Sequence, residues 1–298
     1  MTELLRFAPE VSDVLRAGGP VVALETTLIA HGFPPGVGVE VGLEAEQSVR
    51  EAGGVPATVG VLDGEIRIGL TQGELERFAT AGPDARKLGP RDLAPCAVQG
   101  AIGATTAGAT LAVCRAAGIR FLGTGGLGGV HRGFPSPPDV SADLAELART
   151  EALVVSSGIK SLLDVPATAE LLETLGVPVL GWRSEELPLF YTAAGGPPAS
   201  ARVETAEEAA AIARAHWRLG RAGIALARPP DESLDDLEPL IERALADARR
   251  RGIQGQAVTP FVLGALHEAS GGRTVTANRE LVAANARLAA EVAVAYAS

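Results

Sequence analysis

A layered α/β fold with a mixed central sheet is predicted by three features of the sequence. Strand-like and helix-like segments alternate along it, the apolar runs are short, and a tight-turn dipeptide joins two extended segments near its beginning. With 298 residues, 47% of them hydrophobic, the chain can bury a large core. The expected architecture is three-layer α/β/α, in one domain over residues 1–298. No stretch reads as a linker, an internal repeat or a low-complexity tract.

Taken in order, residues 21–24 are a short apolar run suited to a buried strand. Glu25, Thr26 and Thr27 follow at its carboxyl end, where functional groups of open α/β sheets collect. The spacing predicts a helix over 39–52, closed by Gly53 and Gly54. Residues 55–68 read as a hairpin turning at Asp63-Gly64, a pair suited to type I′ geometry, and this hairpin makes the sheet mixed. Residues 99–117 have helical period but are rich in Gly, Ala and Thr, with Gly118 as their stop. The next strand covers 120–123. After a glycine-rich stretch come a short helix over 141–149, a strand over 152–155 and a helix over 166–175 with proline in its first turn. Residues 177–181 and 223–227 are further strands. The last third is mostly helical, over 206–219, 234–251, 259–269 and 278–296.

Charge and composition narrow the function. A formal net charge of -10 repels polyanions and argues against nucleic acid as a partner, while leaving room for a local basic pocket that takes a phosphorylated metabolite. The first residues lack the basic region and apolar run of a secretion signal, and no stretch is apolar enough to span a membrane. A cytoplasmic protein is expected. Cys96 and Cys114 form no metal-type pair and are expected to be buried thiols.

Gly123, Gly125 and Gly128 satisfy a dinucleotide-type glycine pattern directly after a strand, but that pattern needs a helix to open under the last glycine. Pro135, Pro137 and Pro138 forbid one there, so the dinucleotide reading is rejected. What remains is a loop carrying His131 and Arg132 that leads into Asp139-Val140-Ser141-Ala142-Asp143 at a helix start. Exposed N–H groups, a serine hydroxyl and an arginine there suit an anion. Asp139 and Asp143, four residues apart on one helical face, suit a hard divalent cation. The same residues also suit simple helix capping, and both readings stand on sequence alone.

Only two of the 26 basic residues are lysines, Lys87 and Lys160. Arginine cannot lose its proton near neutral pH, so it cannot act as an amine nucleophile, and a chain that otherwise uses arginine marks its lysines as candidates. Lys160 follows a strand and a Ser-Ser-Gly turn, from which its amine could reach the crevice that holds Glu25. Glu25, at a strand end, is partly removed from water and suited to proton transfer. Lys87, among Arg86, Arg91 and Asp92, suits a salt-bridged surface as well as a phosphate ligand. His31 reads as a loop residue, and His216 and His267 as helix-surface residues.

Five separated motifs then resemble, in one order, the indigoidine synthase A-like family of pseudouridine-5′-phosphate glycosidases. They are Ala23 to Gly32, Lys87 with Arg91-Asp92-Leu93, Gly125 to Gly133, Asp139 to Leu144, and Gly158-Ile159-Lys160-Ser161. Thr259-Pro260-Phe261, Ala277-Asn278 and Asn285-Ala286-Arg287 continue the resemblance. It implies reversible cleavage of the C–C bond between uracil and ribose 5-phosphate, a divalent metal, usually manganese, and a homotrimer that works alongside a separate pseudouridine kinase. By the same resemblance Lys160 would be the covalent nucleophile and Glu25 the proton donor and acceptor. Lys87, Ala107, Thr124, Gly126, His131, Ser141, Ala142, Asp143 and, more weakly, Asn278 would contact substrate, and Asp139 with Asp143 would bind the metal. Two other readings use the same residues: a Schiff-base aldolase acting on another sugar phosphate, and a non-catalytic sugar-phosphate binder.

Overall fold

Short apolar runs separated by turns and helices assemble into a single sheet in the structure, a computed structural model that describes residues 4–34, 36–134 and 138–298. The chain opens with β1 (Leu5–Phe7), α1 (Pro9–Arg16), β2 (Val21–Glu25), α2 (Thr27–His31), α3 (Val37–Glu51), β3 (Val55–Leu62), β4 (Glu65–Ile68) and α4 (Gln72–Ala81). It continues with β5 (Arg86–Leu88), α5 (Leu93–Val98), β6 (Gly103–Thr105), α6 (Ala107–Ala117), β7 (Phe121–Gly123), α7 (Ala142–Leu147), β8 (Leu153–Ser156) and α8 (Val165–Thr174). Then follow β9 (Val179–Trp182), β10 (Ala201–Val203), α9 (Ala206–Arg218), β11 (Ile224–Ala227), α10 (Glu238–Arg250), α11 (Val258–Ala269) and α12 (Arg273–Ala297).

The strand order is β1-β4-β3-β2-β7-β8-β11-β9-β10, with β6 pairing to β3 and β5. β3 runs antiparallel to β4 and β6, and the central strands β2, β7, β8 and β11 are parallel, so the sheet is mixed as expected. The hairpin turns where its sequence says it should. Asp63 at φ 54° and Gly64 at φ 80° both take the left-handed conformation that a type I′ turn demands.

Alternation along β2 sets the layers. Val22 and Leu24 pack with Val41, Ala45 and Val49 of α3 and with the inner faces of α9 and α12. Val21 and Ala23 join Leu111 and Val113 of α6, Leu144 and Leu147 of α7 and Leu172 of α8 on the opposite face. Each fully buried leucine contributes on the order of 1.5–3 kcal/mol. A further cluster, with Val262 and Leu266 of α11, Ile241 of α10, Phe190 and Leu281, packs beyond the sheet. Both cysteines are buried free thiols, and burial pushes Cys114 up to about 12.

One predicted helix divides. Residues 99–117 hold the short strand β6 and then α6, because Gly103 lets Leu88 and Cys96 close over the backbone and Thr105 donates its N–H to Thr26 Oγ1 at 2.9 Å. Small residues satisfy helix and strand equally, and strand pairing decided the matter. α12 begins earlier than expected, at Arg273, and seven short elements, β1, α1, α2, α4, β5, α5 and β10, stand outside the expected ones. After Gly128 the chain forms a bridge between Val130 and Val140, and among the described residues no helix opens before Ala142, in keeping with the rejected dinucleotide pattern. The proline run at 135–137 lies outside the described residues.

Candidate active site

The central parallel strands end on one edge of the sheet, and the candidate groups lie at or just beyond their carboxyl ends. Glu25 closes β2 with 5% of its surface exposed. Its carboxylate accepts a hydrogen bond on each oxygen, Oε2 from Thr27 Oγ1 and Oε1 from Thr124 Oγ1 just past β7. Thr26 turns the other way, donating to Val59 O at 2.8 Å. Two hydroxyls therefore hold the buried carboxylate in one orientation, satisfying a charge that burial otherwise makes costly.

Lys160 emerges from the loop after β8. Gly158, at φ 77°, turns the chain there, and Lys160 N donates to Leu127 O at 3.1 Å. Gly126 is glycine for a steric reason: a Cβ there would stand 2.6 Å from the Phe190 ring and 3.3 Å from Lys160 Cγ. Lys87 enters from β5 and donates to the carbonyl of Gln256 at 3.0 Å. Burial, reinforced by the Lys160 ammonium, pulls Lys87 down to about 8 against the opposing influence of Asp143 and Glu25.

Ser141 caps α7, its Oγ accepting from Asp143 N at 3.3 Å. The buried Asp143 carboxylate accepts Gly108 N at 2.8 Å on one oxygen and Gly128 N at 2.9 Å on the other. It thereby ties the start of α6 to the glycine-rich loop. A Cβ at Gly108 would stand 2.8 Å from Asp143 Oδ1, and one at Gly128 would stand 2.7 Å from Oδ2, so both glycines are required.

These groups line one cleft of about 690 Å³. Glu25, Lys87, Ala107, His131, Asp139, Ser141, Ala142, Asp143 and Lys160 all contribute to its wall. Three predicted residues do not: Thr124 stands behind it on Glu25, Gly126 behind Lys160, and Asn278 is buried in α12. The lining holds five Lys or Arg side chains against four carboxylates, in a molecule whose net charge is -10, so the cleft is locally suited to an anion. At its far end the fully buried Glu146 pairs with Arg115 Nε at 3.2 Å and Arg149 Nε at 2.9 Å.

Asp139 and Asp143 do not share a helical face, as their spacing suggested. α7 begins only at Ala142, and Asp139 lies in the approach to it with Oδ2 3.6 Å from His131 Nδ1. Burial lowers the pKa of His131, with Lys87 and Lys160 adding to the effect and Asp139 opposing it. Among the described residues no group of three His, Cys, Asp or Glu side chains stands together as a metal cage. Two other histidine expectations are corrected. His31 ends α2 and lines the cleft, its pKa lowered by burial and by Lys87. His267, expected on a surface, is buried: Nδ1 lies 2.7 Å from Thr274 Oγ1 and Nε2 3.3 Å from Gly32 O. Glu268 beside it suggested exposure, but adjacent helical positions point about 100° apart. Sequence reasoning also passed over Thr27 as the partner of Glu25, although its place two residues on offered the signal.

The model of the family described as indigoidine synthase A like protein matches residues 10–295. The chain belongs to the indigoidine synthase A-like family. Relatives within it are named pseudouridine-5′-phosphate glycosidase. That of a Nocardioides species is 48% identical over 299 residues, covering 99% of this chain and 97% of that protein, and that of Streptomyces griseus is 49% identical, covering 98% and 92%. Two solved structures share the fold. The prealnumycin C-glycosynthase in complex with ribulose 5-phosphate superposes with a TM-score of 0.89 at 39% identity, and an indigoidine synthase A-like protein from Thermotoga maritima with 0.88 at 37%. Each covers 99% of this chain and is itself covered to 97%.

Proposed function

We propose that this member of the indigoidine synthase A-like family is a pseudouridine-5′-phosphate glycosidase, interconverting pseudouridine 5′-phosphate and water with uracil and ribose 5-phosphate. One observation carries the reading: a buried, hydroxyl-held carboxylate and two lysines meet in a single cleft that is cationic against the charge of the whole molecule. A solved relative that holds ribulose 5-phosphate supports a five-carbon sugar phosphate as the ligand.

The chemistry explains the lysine. A carbon leaving group departs far less readily than an oxygen or nitrogen one, so carboxylate-assisted glycoside hydrolysis alone is a poor solution. In the synthetic direction, the free amine of Lys160 adds to C1 of open-chain ribose 5-phosphate and loses water to form an imine. Uracil C5 attacks that carbon, Glu25 takes the C5 proton and passes it to the nitrogen, and the C4 hydroxyl closes the ring as its proton goes to the departing amine. Cleavage runs the same steps backwards, with Glu25 giving its proton to the uracil carbon. Lys87 and the Ser141 hydroxyl, with the backbone at Ala107 and Ala142 in the same wall, suit the phosphate or hydroxyls.

A manganese-type ion fits a limited donor set. Asp139 is the carboxylate free to take it, with waters and substrate oxygens completing the shell, whereas each Asp143 oxygen already accepts a backbone amide. Bound there, the ion would supply positive charge for the substrate's oxygens.

Incubation with ribose 5-phosphate and uracil is the test, and pseudouridine 5′-phosphate should form. Borohydride should trap a ribose-phosphate adduct on Lys160 that is lost in Lys160→Ala. Lys160→Arg should be as inactive, because the charge survives and the nucleophile does not. Labelling confined to Lys87 would overturn the assignment.

A further inference from the structure

Asn285 lies fully buried on α12, outside the cleft wall, yet its side chain reaches two separate loops of the site. Its Nδ2 donates to Thr124 O at 2.8 Å, to Gly125 O at 3.3 Å and to Ser157 Oγ at 3.1 Å. The helix can come this close because Gly123 has no side chain: a Cβ there would stand 2.8 Å from Ala286 Cα.

We propose that Asn285 is a positioning residue that sets the separation between Glu25 and Lys160 by joining the two loops that carry or hold them. The inference rests on the reading of those two residues as the reacting pair. The connection to the acid is short, since Thr124, whose carbonyl Asn285 holds, donates its hydroxyl to Glu25. On the amine side, Ser157 N donates to Gly125 O at 2.9 Å, Leu127 N to Gly158 O at 2.9 Å and Lys160 N to Leu127 O at 3.1 Å. These bonds lace the two loops together along their length, and Asn285 grips both at the end nearest the sheet.

The Asn285 amide serves both loops at a cost to its own oxygen. Two carbonyls face the amide, so its nitrogen must point toward them, and Oδ1 is left without a hydrogen-bond partner among the described residues. A buried acceptor left unpaired costs on the order of 1–3 kcal/mol, and an apolar residue there would exchange that cost for an unpaired Thr124 carbonyl and Ser157 hydroxyl. An arrangement that carries such a cost beside the reacting groups is better explained by positioning than by packing.

The test compares wild type with Asn285→Leu, which keeps the branched four-atom side chain, with bulkier ends, and removes the donor, and Asn285→Ser, which shortens it, at a temperature where circular dichroism finds each folded. For synthesis from ribose 5-phosphate and uracil, kcat should fall about 10²-fold in Asn285→Leu, as a displacement of about 1 Å between reacting groups implies. KM for ribose 5-phosphate should stay within about threefold, since Lys87 and the loop around Ser141 are untouched. The rate of borohydride trapping at Lys160 should fall with kcat. A kcat within about threefold of wild type in Asn285→Leu, or a loss confined to KM, overturns the inference while leaving the glycosidase reading intact. Failure of both variants to fold at any temperature assigns Asn285 to the fold and also overturns it. Wild type that neither turns over nor traps removes the glycosidase reading, and this inference with it.

Discussion

At the scale of single residues, the two lysines divide the work by their surroundings. Lys87, half-buried beside a second ammonium, titrates near 8, so it is a cation at neutral pH that becomes neutral under mildly alkaline conditions. If the charged form holds the anionic substrate, affinity is complete below pH 8 and lost as the pH rises through it. KM for ribose 5-phosphate is expected to climb about tenfold between pH 7 and about pH 9.5, and Lys87→Arg should flatten the climb because guanidinium stays charged. A flat wild-type KM over that range would remove Lys87 from substrate binding. Asp139 carries a separate expectation. Calorimetry should find manganese binding weakened at least about tenfold in Asp139→Asn, with a smaller effect in Asp143→Asn beyond whatever its broken amide clamp costs in stability. Equal affinity in Asp139→Asn and wild type would exclude it as the ligand.

At the scale of elements, the site depends on where glycine permits close approach. Gly128→Ala would drive a methyl into Ser141 Oγ and Asp143 Oδ2, separating the glycine-rich loop from the cap of α7. A rise of at least about tenfold in KM for the sugar phosphate is expected, readable in initial rates. Gly64→Ala is the contrast: its φ of 80° makes a side chain strained, yet the turn lies in the β3–β4 hairpin, outside the cleft lining. There the expected loss is about 1 kcal/mol, or roughly 2–4 °C in Tm, with kinetic constants unchanged. Equal kinetic damage from both substitutions would show that the loop geometry around Gly128 has no special part in binding.

The elements also show how far local pattern could be read. The Asp63-Gly64 hairpin, the strand ending at Glu25 and the helix closed by Gly118 were legible because each is decided by neighbours in sequence: a turn dipeptide, an apolar run, a left-handed stop. β6 was not, because Gly103-Ala104-Thr105 suits either conformation and only pairing with β3 and β5 selects the strand. The inward turn of His267 and the separation of Asp139 from α7 were lost for related reasons. The first depends on which helix face meets α12, and the second on the residue at which a helix starts, where boundaries are least well encoded.

At the scale of the whole molecule, a net charge of -10 surrounds a cleft whose lining is slightly cationic, a contrast that favours a small phosphorylated ligand over a polymeric one. Two apolar layers hold the parallel strands so that β2, β7 and β8 end side by side, and this adjacency delivers Glu25, Thr124 and Lys160 to one place. Sequence alone sets the layered α/β class and the mixed sheet and singles out Glu25 and Lys160 as candidates for the chemistry, since alternation, turn chemistry and the scarcity of lysine are local or compositional properties. Only tertiary structure decides that Thr124 holds Glu25 from 99 positions away, that Asp143 clamps two glycine backbones and that Asn285 joins the loops from 128 positions beyond Ser157. Those contacts follow from which strands become neighbours, a choice made by burial over the whole chain and written in no single segment of it.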